Sequence, residues 1–124
     1  QTQNDLFADR QLRLMIENGN RQVVGIVDLC SFDPLHNRAE VGIMVDKSCR
    51  RQGIGRNALA LLEEHCFRYL GIHQLFAYIA VENLPSRRLF AACGYKESAV
   101  LKEWAHTFGG GYTDVLVVQK LNLS

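Results

Sequence analysis

The sequence predicts an α+β domain, a mixed and mainly antiparallel sheet with two main helices. Three observations predict it. Up to Val45 the apolar residues fall in short Val- and Ile-rich stretches separated by turn clusters, which is the pattern of strands. From Ile54 they recur at three and four residues, which is the pattern of a helix face. Gly71, Pro85, Gly94 and Gly109-Gly110-Gly111 then divide the remainder into strand, helix and hairpin.

Each element has its own warrant. Leu12 to Ile16 is a short strand, and Glu17-Asn18-Gly19-Asn20 is a turn cluster whose residues tolerate left-handed backbone, so a hairpin is implied. Gln22 to Phe32 is a longer strand, Asp33 to Asn37 with Pro34 is a loop, and Ala39 to Val45 is a third strand. Three adjacent antiparallel strands result. Ile54, Ala58, Leu61, Leu62, His65 and Tyr69 mark one face of a helix from about Gly53 to Leu70, stopped by Gly71. Gln74 to Val81 follows as a strand apolar enough for burial on both faces, hence central. Pro85 suits the first turn of a second helix through Ala92, closed by Gly94. Lys96 to Trp104 and Tyr112 to Val118 form the last hairpin.

Composition bounds the function. A chain of 124 residues has room for one domain, 1–124, and its 48% hydrophobic and 22% charged residues are those of a globular protein. Fourteen Lys and Arg against thirteen Asp and Glu leave a net charge of +1, which excludes the global field of a nucleic-acid or anionic-membrane binder. No apolar run approaches the roughly eighteen residues of a spanning helix. A cytoplasmic protein is expected. Cys30, Cys49, Cys66 and Cys93 contain no C-x-x-C pair, and the four histidines no H-x-x-x-H spacing, so reduced thiols and no metal are expected.

Chemistry concentrates in Val45-Asp46-Lys47-Ser48-Cys49-Arg50-Arg51-Gln52-Gly53-Ile54-Gly55-Arg56, where a strand ends, a basic loop follows and two glycines open a helix. Glycines let backbone approach a ligand, and the first N–H groups of a helix add partial positive charge. Arg50, Arg51 and Arg56 add full charge, which suits a diphosphate. The plain alternative is a helix start with exposed arginines. Gly53-Ile54-Gly55-Arg56-Asn57-Ala58 also fits G-x-G-x-x-A, but it stands several residues beyond its strand and after an antiparallel meander, unlike a dinucleotide fold. The Walker pattern is absent.

Arg50-x-x-Gly53-x-Gly55 resembles the R/Q-x-x-G-x-G/A motif of the GNAT N-acetyltransferase superfamily, in which backbone amides grip the pyrophosphate of acetyl-CoA. A second segment, Asn83-Leu84-Pro85-Ser86 through Phe90 to Gly94-Tyr95, is similar to that superfamily's N-x-x-(S/A)-x-x-x-(Y/F)-x-x-x-G-(F/Y) pattern. With Arg38-Ala39-Glu40-Val41-Gly42 and Gly111-Tyr112-x-Asp114, the likeness covers Leu12 to Leu121 and points to the spermidine and ribosomal-protein N-terminal acetyltransferase branch. It implies a GNAT-like sheet whose central strands splay, with acetyl-CoA as cosubstrate. Backbone of Met44, Val45 and Asp46 would meet the pantetheine arm, and Arg50, Arg51, Gln52, Gly53, Ile54, Gly55 and Arg56 the diphosphate. Asn83 and Ser86 match cofactor-contacting positions, with helix capping as the other reading.

The family reaction is attack of an amine on the thioester, with the oxyanion held by a strand N–H. A lysine-like amine has a pKa of roughly 10.4 and arrives as ammonium, so a carboxylate must take its proton. Glu40 is the candidate catalytic residue. Asp28 and Glu40, expected side by side on neighbouring strands, match acidic positions of spermidine acetyltransferases and are candidate substrate-binding residues. The remaining reading of Glu40 is an exposed acid paired with Arg38. Phe90 stands at a cofactor-contacting position where relatives often carry a Tyr that protonates the thiolate; packing is its alternative role. Tyr95 is assigned to the core. The chain lacks the strand and helices that usually precede Leu12, so it resembles an N-terminally short acetyltransferase domain. The resemblance implies an N-acetyltransferase acting on a small-molecule amine, a polyamine before a protein N-terminus, with a CoA-binding module of little turnover as the alternative. Exposed strand edges favour a homodimer or higher homo-oligomer.

Overall fold

The computed structural model describes residues 10–49 and 53–123. Six strands and two α-helices follow in the expected order: β1 Leu12–Glu17, β2 Val23–Asp33, β3 Arg38–Val45, α1 Ile54–Glu64, β4 Gln74–Ala80, α2 Leu84–Ala92, β5 Lys96–His106 and β6 Tyr112–Leu121. Two compact units result. The first takes the chain as far as Leu75 and again residues 121–123; the second is Phe76–Lys120. None of the described helices is long and apolar enough to cross a membrane.

In the first unit β1, β2 and β3 form an antiparallel meander. Asn18 closes the first hairpin by accepting the N–H groups of Asn20 and Gln22 on its side-chain oxygen, at 2.8 and 3.0 Å. Cross-strand partners share a face, so Val27, Leu29 and Val41 lie together and buried, with α1 packed on β2 and β3. Arg13, Asp28, Cys30, Glu40 and Met44 occupy the other face.

The buried stripe of α1 differs from the expected one. Leu59, Leu62 and Cys66 face the core, whereas Leu61 is 72% and Tyr69 68% exposed and His65 is exposed as well. Both stripes have helical spacing, so periodicity alone does not choose between them. The helix also changes its winding. His65–Tyr69 is a π turn in which Leu70 N–H bonds the carbonyl five residues back, that of His65, at 3.1 Å. Carbonyls at this end are taken by asparagines: Asn122 donates to Phe67 and Ile72, each at 3.1 Å, and Asn37 to Gly71 at 2.7 Å.

In the second unit the strand order is β4-β6-β5. Ile79, Phe90, Tyr95, Val115, Leu116 and Val118 are buried, and the Phe90 and Tyr95 rings meet edge to face at 4.9 Å. Tyr95 is therefore a core residue, as expected. β4 is not buried on both faces, since Leu75, Ala77 and Ile79 are covered while Tyr78 is 46% exposed. Both closing strands run further than the sequence suggests. β5 is mostly exposed and its register with β6 slips twice, between Glu97 and Ala99 and between Leu101 and Ala105. At the second slip Glu103 has a φ of 49° and its N–H is taken by the Asp114 carboxylate at 2.9 Å.

Candidate active site

In the first unit the end of β3 turns toward the start of α1. Asp46 N–H donates to Val24 at 2.6 Å, and the Asp46 carboxylate accepts from both N–H and hydroxyl of Ser48, each at 3.1 Å, closing the short turn Lys47–Cys49. That N–H, one of those expected to meet a cofactor, is thus committed within the protein. Arg50, Arg51 and Gln52 lie outside the described residues. Gly53 then caps α1 at a φ of 76°, a left-handed conformation that costs any L side chain energy, and among the described residues no side chain caps the helix. Among the described residues, and apart from its own chain neighbours, nothing lies within 4 Å of where its Cβ would stand.

The first intrahelical bond of α1 runs from Asn57 N–H to the Gly53 carbonyl at 2.9 Å. The N–H groups of Ile54, Gly55 and Arg56 precede it, and among the described residues no acceptor bonds them. Gly53 and Arg56 are exposed, Ile54 and Gly55 half-buried. N–H groups at the positive end of a helix that have no acceptor among the described residues can receive an anion.

The acidic face of the meander is arranged differently from the expectation. Glu40 lies opposite Cys30, and Asp28 lies opposite Gly42, so the two acids are diagonal neighbours. Arg13 of β1 grips both Asp28 oxygens, with Nε 2.7 Å from Oδ1 and Nη2 3.2 Å from Oδ2. Arg38 is 3.7 Å from Asp33, so the pairing of Arg38 with Glu40 is replaced by another. A bulge at Ser31, where φ is 52°, puts the Ser31 hydroxyl 3.5 Å from Glu40 Oε1. Burial first, and then the charge of Glu40, pushes the Cys30 thiol up.

In the second unit Asn83 is the N-cap of α2, its Oδ1 accepting the N–H of Ser86 at 3.3 Å. Phe90 is 3% exposed, which is the packing role. Arg87 fastens the helix to its surroundings, donating to the Val81 carbonyl at 2.8 Å and to Glu97 at 3.1 and 3.4 Å. Tyr112 is exposed beside His106.

Sequence reasoning missed Arg13 and Ser31. Arg13 was within reach: folding the first hairpin between Asn20 and Arg21 brings it to Asp28. The Ser31 bulge carries no such signal, because Ser in a Val-rich strand is unremarkable in period.

Comparison with known proteins gives the family. The family described as an acetyltransferase (GNAT) domain matches residues 2–96. A spermidine N(1)-acetyltransferase of Vibrio cholerae is 27% identical over 110 residues, 89% of this chain. A putative phosphinothricin acetyltransferase of Bacillus subtilis is 34% identical over 102 residues, 77% of this chain. The chain spans 63% of the length of the first and 59% of the second. Among solved structures, a dodecameric spermidine N-acetyltransferase from Vibrio cholerae superposes with a TM-score of 0.86 at 25% identity, covering 94% of this chain and 68% of that one. The strand and helix order, the glycine-capped first helix and these likenesses have one common source: the chain belongs to the GNAT acetyltransferase family.

Proposed function

We propose that this chain carries an acetyl-CoA-dependent N-acetyltransferase activity toward primary amines, with a polyamine such as spermidine or spermine as the preferred acceptor. The observation that carries the reading is the row of N–H groups at Ile54, Gly55 and Arg56, without acceptors among the described residues, behind the left-handed Gly53. Donors of this kind fit the paired phosphates of a coenzyme. Likeness to the Vibrio cholerae spermidine enzyme supports the acceptor class.

Acetyl-CoA supplies an acyl group already activated as a thioester. The protein's part is to hold it and to manage a proton. Gly53 to Arg56 bind the diphosphate, and the backbone of Met44 and Val45 meets the pantetheine arm. Glu40, beside the Ser31 hydroxyl and the Cys30 thiol, takes the proton of the incoming ammonium or binds the cation. Self-association accompanies this reading, by analogy with the dodecameric relative.

A second reading, a CoA-binding module with little turnover, is favoured by Phe90, which is buried and offers no hydroxyl to the departing thiolate. One general acid is worth about a hundredfold in rate. Calorimetric titration with CoA, followed by thiol release with spermidine or spermine, separates the readings. Binding with turnover supports the enzyme, binding without turnover the module, and no binding overturns both.

A further inference from the structure

Two carboxylates on one sheet face look, at first, like a matched pair for a multiply charged amine. Their partners differ in kind. Asp28 is held at both oxygens by a guanidinium, at 2.7 and 3.2 Å, the bidentate arrangement that an ammonium displaces least readily. Among the described residues Glu40 faces a hydroxyl and a thiol. The bulge that turns Ser31 onto Glu40 needs a positive φ at a non-glycine residue, so the arrangement around Glu40 is held at some backbone cost. Arg38, the other nearby cation, is engaged with Asp33.

We propose that Arg13 is a specificity-determining residue, which rests on the acetyltransferase reading: by occupying Asp28 it leaves Glu40 as the one carboxylate of the pair that meets the acceptor. The acceptor is then recognised at a single ammonium, and further charges along a polyamine are not read at Asp28. Arg13 acts through Asp28 and is a positioning residue rather than a catalytic one. Its side chain is 60% exposed, so its replacement leaves the core intact.

Acetylation of spermidine and of n-butylamine, followed by thiol release, tests this. Arg13→Gln is expected to raise the spermidine-to-butylamine ratio of kcat/KM by about fivefold, the worth of one exposed ion pair. Arg13→Lys, which keeps the charge at Asp28, holds the ratio near that of the unmodified protein, and Arg13→Gln combined with Asp28→Asn returns it there. An unchanged ratio in Arg13→Gln overturns the proposal while leaving the enzyme reading intact. If neither amine is acetylated, the enzyme reading falls, and calorimetric binding of spermidine decides for Arg13. Tighter binding in Arg13→Gln that is lost in the double variant upholds its role; equal binding in all three proteins overturns it.

Discussion

Ser86 donates its backbone N–H to the side-chain oxygen of Asn83 at 3.3 Å, and this bond begins α2. Asn83→Ala is therefore expected to cost about 1 kcal/mol of stability in a denaturant titration. Asn83→Asp keeps the accepting oxygen and loses the amide donors. If its CoA affinity matches that of the unmodified protein, the residue serves the helix alone; a loss assigns it a ligand contact as well.

Gly53 begins α1 in a left-handed conformation. At a φ of 76°, Gly53→Ala is expected to destabilise by about 1 kcal/mol through backbone conformation, because space around the new methyl is open. Gly53→Glu puts a carboxylate at the positive end of α1 and lowers CoA affinity by about tenfold. Undiminished CoA binding by Gly53→Glu would remove the diphosphate assignment.

Gly25 is needed for a different reason, since a Cβ there would stand 2.6 Å from the Met44 carbonyl oxygen. Backbone cannot swing aside as a side-chain tip can. Gly25→Ala is expected to lower stability by about 1–3 kcal/mol by forcing β2 from β3. A melting temperature equal to that of the unmodified protein would show that the two strands part without penalty.

Asp114 ties the acid stability of the last hairpin to pH. The Glu103 N–H, and then Lys102 at 3.2 Å, holds its carboxyl below the ordinary 3.8. A folded pKa lower than the unfolded one stabilises fully above the unfolded value and is lost as pH falls through the folded value. Amide exchange at Glu103 is expected to stay slow down to about pH 4 and quicken below it. In Asp114→Asn that acid step should vanish.

Burial, and then the charge of Glu63, pushes the Cys66 thiol up to about 12. Cys66 is fully buried as well. Maleimide at pH 8 is expected to leave Cys66 unlabelled in the native protein and to label the partly exposed Cys49, as read by peptide mass. Rapid native labelling of Cys66 would show that α1 opens from its sheet.

The strands were legible because their limits are chemical. Asn18, Pro34 and the glycine run end them, and β1 to β3 fall within a residue or two of expectation. The buried side of α1 was not legible, because Ala58 to Leu62 is apolar on every side and only the β2–β3 surface selects Leu59 and Leu62. The start of α1 was readable as a motif, since a left-handed glycine is a common way to begin a helix after a loop. The partners of Glu40 were not, because a one-residue slip at Ser31 changes which side chains meet.

The margin strand of the second unit has a further consequence. An eleven-residue edge with open peptide groups is a template on which foreign strands grow, and unchecked growth ends in fibres. The two extra-residue kinks of β5, with Lys96, Glu97, Lys102 and Glu103 along it, leave no straight stretch where an incoming chain can stay in step. The protein can therefore leave that rim in water.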